Sequence, residues 1–447
     1  MTGLEIGFIS VGVIIALIYA GMHVGIALSL VSFVSVVVQK GNVTIAVKLL
    51  TLAAADGIAD QTFAVIPLFV LMGLIMSESD VGRDAYDVGD YFLRRVRGGL
   101  GIATVGSNAI FAAVTGVSIA SAAVFTRVAV PEMLRLGYSP RFAVGTVAGS
   151  SVLGMLIPPS ILLIIYAILA EQSIGLMFFA GIGPGVILST VYCVGIIGMA
   201  YLTPSFVYDQ SGEFSDKQAM DETRQHQFLT QIIAKLLPLV ILVTIVLGGI
   251  YGGIFTPTEA GAVGALGALV LAVTRRKIDM KAFWRVLLET GHITAAVCFL
   301  IISATIYSRS LALAGVPVEI GELVRTATEH FLIVVLIYVL VVLLLGTVID
   351  SVSIILIMVP LFLPIMQGFQ ADPIWFGILT VIAVEIGLLT PPMGMACFVI
   401  KGCLEDERIT LRDVFLGALP FAFMMLMVLI LLTAWPHLIY IDRWFGG

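Results

Sequence analysis

Two proline pairs, Pro158–Pro159 and Pro391–Pro392, stand inside long apolar runs, where backbone chemistry is least expected. Proline has no N–H to donate, and its ring displaces the carbonyl one turn back, so each pair frees carbonyl oxygens within a helix. In lipid such groups need a compensating partner. Oxygens at that depth suit a small cation. The first pair lies in Gly-Met-Leu-Ile-Pro-Pro-Ser (Gly154 to Ser160), and the second in Gly-Leu-Leu-Thr-Pro-Pro-Met-Gly (Gly387 to Gly394), where Thr390 adds a hydroxyl. Two small-residue bends are placed to face them. Ala113 to Ser118 brings Thr115 and Ser118 to the first break, and Gly346 to Ser353 brings Asp350 and Ser351 to the second. A single Pro-Pro can be a passive kink; two copies at one offset are read as functional breaks.

Few other residues offer chemistry. Glu385 is an intramembrane carboxyl, a functional candidate by default, to be weighed against a group that is simply neutral or paired with a polar neighbour. Arg127 has the forked donors to hold a substrate carboxylate; its place two turns past the first bend also suits a cytoplasmic anchor, which we favour. Arg309 reads as a helix end, and His23 and His292 as ordinary hydrogen-bonding groups. Cys193, Cys298, Cys397 and Cys403 have no metal-type or disulfide spacing. The chain lacks His-Glu-x-x-His, Gly-x-Ser-x-Gly and the Walker motif. Asp350 with Glu385 is a poor match for an aspartyl membrane protease, so an intramembrane enzyme is disfavoured.

The elements that must position these residues are membrane helices. Of 447 residues, 60% are hydrophobic and 12% charged, against roughly 25% charged in soluble domains. Apolar runs near the ~20 residues needed to cross lipid recur along the chain. They lie at about 4–20, 22–38, 61–79, 141–170, 176–204, 231–250, 257–274, 290–312, 374–402 and 412–435. Met1 to Gly3 carry no Lys or Arg, so the first run reads as retained rather than as a signal peptide. The stretches 98–131 and 330–365 are too long for one crossing, are broken by small or polar residues, and read as helical hairpins.

Basic residues set the orientation. Arg94, Arg95 and Arg97 precede the first hairpin, and Arg127, Arg135 and Arg141 follow it, so both flanks are expected to be cytoplasmic. The loops with Arg275 to Arg285 and with Lys401, Arg408 and Arg412 fall on the same side. The second hairpin then opens from the periplasmic side, and both termini come out periplasmic, with Lys40 and Lys48 as exceptions. An internal repeat agrees. The offset of 233 residues between the proline pairs (391 minus 158) also carries Gly154 to Gly387, Pro140 to Pro373, Pro131 to Pro364 and Ser118 to Ser351.

The expected fold is therefore an all-α polytopic membrane protein built as an inverted repeat, the architecture of many secondary transporters. The first half, 1–204, would hold scaffold helices over 4–79, an amphipathic arm 81–96, hairpin 98–131, a broken helix 141–170 and a helix 176–204. A connector, 205–230, leads to the second half, 231–447. There we expect scaffold helices over 231–312, arm 314–329, hairpin 330–365, broken helix 374–402 and a helix 412–435.

Specific motifs add a family resemblance. Thr-Gly-Val-Ser, Pro-Glu-Met, Leu-Gly-Tyr-Ser-Pro, Ile-Pro-Pro-Ser and Ala-Gly-Ile-Gly-Pro-Gly, between Ser107 and Gly185, resemble the amino-terminal half of the large membrane subunit of TRAP (tripartite ATP-independent periplasmic) transporters. Gly346 with Asp350, Pro360, Pro364, Asp372–Pro373 and Thr-Pro-Pro-Met-Gly resemble its carboxy-terminal half. The resemblance covers essentially the whole chain. It implies an elevator-type, sodium-driven importer of organic acids in the bacterial inner membrane, working with a small four-helix membrane subunit and a periplasmic substrate-binding protein. Family sodium sites match Gly346, Gly387, Thr390 and Met393 in one half, and the tip near Ser118 with Gly154, Ile157 and Ser160 in the other. Thr115 and Asp350 join these sets from the reading of the bends. The family's first tip usually reads Gly-Ser-Ser; here it is Gly116, Val117 and Ser118. Glu385 stands where the family often carries Asn.

An anionic substrate is expected between the tips, near Thr115, Ser118, Ser160, Asp350 and Ser351, with Arg127 as the candidate cation. A stand-alone sodium-coupled carboxylate symporter shares these features without a binding protein and is the rival reading. A channel is less natural, since alternating access is what mirrored halves provide.

Overall fold

A computed structural model describes residues 3–59, 61–209, 228–316, 318–319, 321–322, 330–392, 394–404 and 406–441. Met393, most of the connector at 205–230 and most of the arm at 314–329 lie outside the described residues. Helices make up the described chain, with one isolated bridge between Tyr138 and Tyr208. Six helices are long and apolar enough to cross a membrane, and the bent pair Pro140–Leu156 and Ile161–Leu169 makes a seventh candidate.

One group of helices comprises Gly3–Tyr19, Val24–Lys40, Val43–Ala59, Val65–Glu78, Phe228–Tyr251, Pro257–Thr274 and Met280–Leu313. The helix Val43–Ala59 has no counterpart among the apolar runs read from the sequence, because Lys48 and Asp56 interrupt its hydrophobicity. Its charge is matched in space: Arg309, from the last turns of Met280–Leu313, pairs with Asp56 at 2.6 Å. Ser29 donates to Ser303 at 2.9 Å across the same bundle. Helix Met280–Leu313 starts ten residues before its apolar run does, since Asp279 caps it by accepting from the Ala282 N–H at 2.7 Å.

The remaining helices pair tightly by other means. Gly99–Thr115 and Ser118–Arg135 form the first hairpin, and Phe331–Gly346 and Ser351–Gly368 the second. The first broken helix begins at Pro140 and the second at Pro373, each with proline at the first helical position and a polar cap before it. Ser139 accepts from the Phe142 N–H, and Asp372 from the Ile374 N–H. Beyond the breaks the chain resumes as Ile161–Leu169 and Met395–Cys403. Each resumed segment packs on the returning helix of the other hairpin, Ile161–Leu169 against Ser351–Gly368 and Met395–Cys403 against Ser118–Arg135. The two hairpins and two broken helices therefore interlock as one body. Leu411–Ala434 closes over Pro140–Ser151, with Arg141 and Asp413 paired at 2.7 Å.

Between the two groups lies the short helix Val81–Leu93. Its apolar face rests on the first hairpin, and acids in and just before it reach the other group: Asp84 to Arg275 at 2.6 Å and Lys235 at 3.4 Å, and the N-cap residue Asp80 to Lys277 at 2.9 Å. Asp87 bonds Lys235 at 2.5 Å. Period-3.6 amphipathicity in this segment thus serves two neighbours at once.

Candidate functional site

Each hairpin tip is seated on one helix break. In the first, Gly116 ends Gly99–Thr115 in the left-handed conformation, φ +63°, which L side chains rarely adopt. A Cβ there would lie 2.4 Å from the Pro159 carbonyl oxygen, so the tip touches the break backbone to backbone. The Ile161 N–H, first in the resumed helix, donates to the Gly116 carbonyl at 3.3 Å. Gly154 lies beneath the bend, its missing Cβ 3.2 Å from the Ser118 nitrogen.

The oxygen accounting at this break follows from proline. Pro158 and Pro159 cannot donate to the carbonyls of Gly154 and Met155, one turn back. The Ser160 hydroxyl repairs one of these by donating to the Met155 carbonyl at 2.5 Å, and also caps Ile161–Leu169. The Gly154 carbonyl gains no such replacement among the described residues. Ile157 turns extended at the break, while its side chain packs on Gly185. Thr115 and Ser118 are buried; the Thr115 hydroxyl donates to its own helix at the Phe111 carbonyl, 2.9 Å away, leaving its lone pairs free.

The second tip is built differently. Gly346 and Gly387 meet face to face, a Cβ on Gly387 falling 2.6 Å from the Gly346 Cα. Pro391 removes the donor to the Gly387 carbonyl, which instead accepts the Thr390 N–H at 3.0 Å, and the Thr390 hydroxyl donates to Ile386 at 2.8 Å. Asp350 caps the returning helix: its carboxylate accepts from the Ser353 N–H at 3.1 Å and the Ser353 hydroxyl at 2.5 Å. Its neighbour Ser351 donates to Glu385 at 3.1 Å. Glu385 is 1% exposed and has no Lys, Arg or His nitrogen within 4 Å among the described residues. An ionised carboxylate in such a place costs several kcal/mol, on the order given for buried ions, unless a cation or a proton joins it.

Buried polar links hold each hairpin to its broken helix. Asn108 donates to Ser150 at 2.5 Å and accepts from Ser121, tying both arms of the first hairpin to Pro140–Ser151. Tyr338 and Thr380 share a hydrogen bond of 2.7 Å in the second. These residues escaped the sequence reading. An Asn in the apolar stretch 98–131 was the available signal.

A cavity of about 1410 Å³ lies between the first hairpin and the helices Val65–Glu78 and Met280–Leu313, the first of which touches the hairpin where Gly73 meets the Thr115 backbone. It runs from a charged rim, where Arg94 pairs with Asp90 and Arg135 with Glu132, to Thr115 and Val117 at the first tip. Burial raises the Asp90 carboxyl above its ordinary range, with Arg94 pulling the other way. Arg127 lines this cavity, exposed, and among the described residues makes no ion pair. It sits along the route to the tip rather than between the two tips.

Comparison with known proteins gives consistent relatives. The family described as the DctM component of tripartite ATP-independent periplasmic transporters matches residues 11–438. The chain is 34% identical over 387 residues to the C4-dicarboxylate TRAP transporter large permease protein DctM of Pseudomonas aeruginosa, covering 86% of this chain and 87% of that one. It is 30% identical over 426 residues to the sialic acid TRAP transporter large permease protein SiaM of Vibrio cholerae, covering 95% of each. Among solved structures, the YdaH transporter of Alcanivorax borkumensis shares the fold, with a TM-score of 0.61 at 13% identity over 83% of this chain and 84% of that one.

Proposed function

Because this chain belongs to the DctM family of TRAP transporters, whose relatives are large permeases and not enzymes, we propose that it is the permease of a sodium-driven importer of organic acids. The observation that carries the reading is the seating of each small-residue tip on a Pro-Pro break, Gly116 on Pro159 and Gly346 on Gly387. Such seams concentrate main-chain oxygens, which suits sodium. One ion would use oxygens from Thr115, Ser118, Gly154, Ile157 and Ser160. The other would use Gly346, Asp350, Gly387 and Thr390, with Met393 following in sequence. Sodium in both seams draws the tips down and completes a pocket for a carboxylate between them, where the positive ends of the returning helices, at Ser118 and Ser351, favour an anion. Ser160 and Asp350 would border that pocket. Arg127, set along the cavity, would meet the acid on its way out.

The interlocked hairpins and broken helices form the moving body of an elevator in this reading, and the helices Gly3–Glu78 and Phe228–Leu313 the fixed one. The ion pairs of Val81–Leu93 support that division, since they fasten the arm to the fixed side while its apolar face follows the hairpin. With the charged rim cytoplasmic, the cavity is the inward route, and both termini are periplasmic. The protein would sit in the inner membrane with a small four-helix subunit and accept substrate from a periplasmic binding protein.

Proteoliposomes holding the permease and its small membrane subunit test this directly. Concentrative uptake of a C4-dicarboxylate or a sialic acid should need both an inward sodium gradient and the binding protein. Uptake unchanged without sodium would refute the coupling; uptake indifferent to the binding protein would favour a stand-alone symporter.

A further inference from the structure

Helix Met280–Leu313 has 34 residues, or about 51 Å at the helical rise, whereas the hydrocarbon core is about 30 Å thick. Its first turns therefore stand in the headgroup layer. There the chain places a groove of about 700 Å³, lined among others by Arg276, Lys277, Asp279, Lys281 and Arg285. Most of its charges are already engaged: Lys277 pairs with Asp80 and Arg285 with Glu78, both at 2.9 Å, and Asp279 caps the helix. Arg276 and Lys281 are exposed and make no ion pair among the described residues.

The apolar neighbours of these two cations have a definite pattern. Met280, Trp284 and Leu288 recur every fourth residue, on one helix face, and are 78%, 62% and 51% exposed. Lys281 and Arg285 form the adjacent stripe. A tryptophan beside free cations at the end of a membrane helix fits the boundary between headgroup and acyl chain. We propose that this groove holds the phosphate of an anionic phospholipid, taken by Arg276 and Lys281, with the lipid's glycerol backbone beside Met280 and Trp284 and its chains entering the hydrocarbon from Leu288. Charge complementarity selects this occupant: two unspent cations match an anionic headgroup and leave a zwitterionic one half-satisfied. Lys277, which holds Asp80 at the start of the arm, and Arg285, which pairs with Glu78 at the end of the fixed helix Val65–Glu78, lie in the same groove, so the lipid would brace the junction from which the arm departs. The site stands on the groove and does not depend on which ion drives transport.

Native mass spectrometry of the full chain released from nanodiscs of phosphatidylcholine and phosphatidylglycerol in equal parts tests the proposal. With a membrane-surface contribution for each of the two cations, phosphatidylglycerol should be retained about 30-fold over phosphatidylcholine. The double variant R276Q/K281Q should bring the ratio near one, and R276K/K281R should keep it. Equal retention of the two lipids by the unaltered chain overturns the site without recourse to any variant. So does full selectivity in R276Q/K281Q. Displacement of phosphatidylglycerol by inorganic phosphate at matched phosphate concentration would make it a free-anion site and refute the lipid. Loss of a bound protein from R276Q/K281Q with lipid selectivity intact would assign the groove to that protein instead.

Discussion

Replacing Gly387 by alanine tests whether contact between tip and break controls the cation site. In an ordinary helix interior the change gains about 1 kcal/mol. Here the new methyl would lie 2.6 Å from the Gly346 Cα and 3.0 Å from its carbonyl carbon, where ordinary contact begins at 3.4 Å. Both obstacles are backbone and cannot rotate away, so the second hairpin must retreat by roughly 0.8 Å, an overpacking cost near the upper end of about 1–3 kcal/mol. The helix gain is present whether or not the tip is seated and cancels between the two states, so the overpacking cost of about 3 kcal/mol falls on the seated state alone, which corresponds to about 150-fold in its population. The assay is the sodium concentration giving half-maximal uptake in proteoliposomes, with thermal unfolding measured in parallel. G387A should shift the sodium response upward by about 150-fold. Gly106 supplies the control: it is also helical, but nothing lies within 4 Å of its missing Cβ, so G106A should unfold no earlier and leave the sodium response in place. An unchanged sodium response in G387A would refute the argument that the seam is where the ion binds.

Asn108→Leu removes the centre of the first buried link and strands the Ser121 hydroxyl, while Ser150 keeps its bond to the Thr146 carbonyl at 2.6 Å, so the unfolding free energy should fall by about 1–3 kcal/mol, seen as a lower midpoint in detergent. Ser351→Ala takes away the hydrogen bond to Glu385 and should destabilise by a similar ~1–3 kcal/mol; a midpoint equal to the wild type would show that the carboxyl is satisfied by another group. Asp84→Asn weakens the pairs with Arg275 and Lys235. As these groups are partly exposed, the stability cost should stay within ~1 kcal/mol, while transport by the proposed elevator, with its arm loosened, should fall more than stability does; equal small losses in both would argue for a plain connector.

The membrane class and the family were legible in the chain itself. Composition alone demands lipid as solvent, and the motifs around both proline pairs carry the family. The breaks themselves are covalent facts, since a residue without an N–H interrupts a helix wherever it stands. Their partners were not so fixed. Asp350 could be read as a cation ligand from its type; that its carboxylate also caps the returning helix through Ser353 is seen only in the third dimension. Val43–Ala59 escaped notice because its charge is answered by Arg309, more than two hundred residues away.

The interlocking of each resumed helix with the other half's hairpin was likewise invisible, as was the cavity that leads past Arg127 to Thr115. Periodicity and proline act over one or two turns, so the sequence by itself determined the helices and their interruptions. Which surfaces meet depends on shape and charge between residues far apart in the chain. The pairing of each bend with its break could be read from the chain; only the tertiary structure could decide that the contact is backbone to backbone, Gly116 on Pro159 and Gly346 on Gly387.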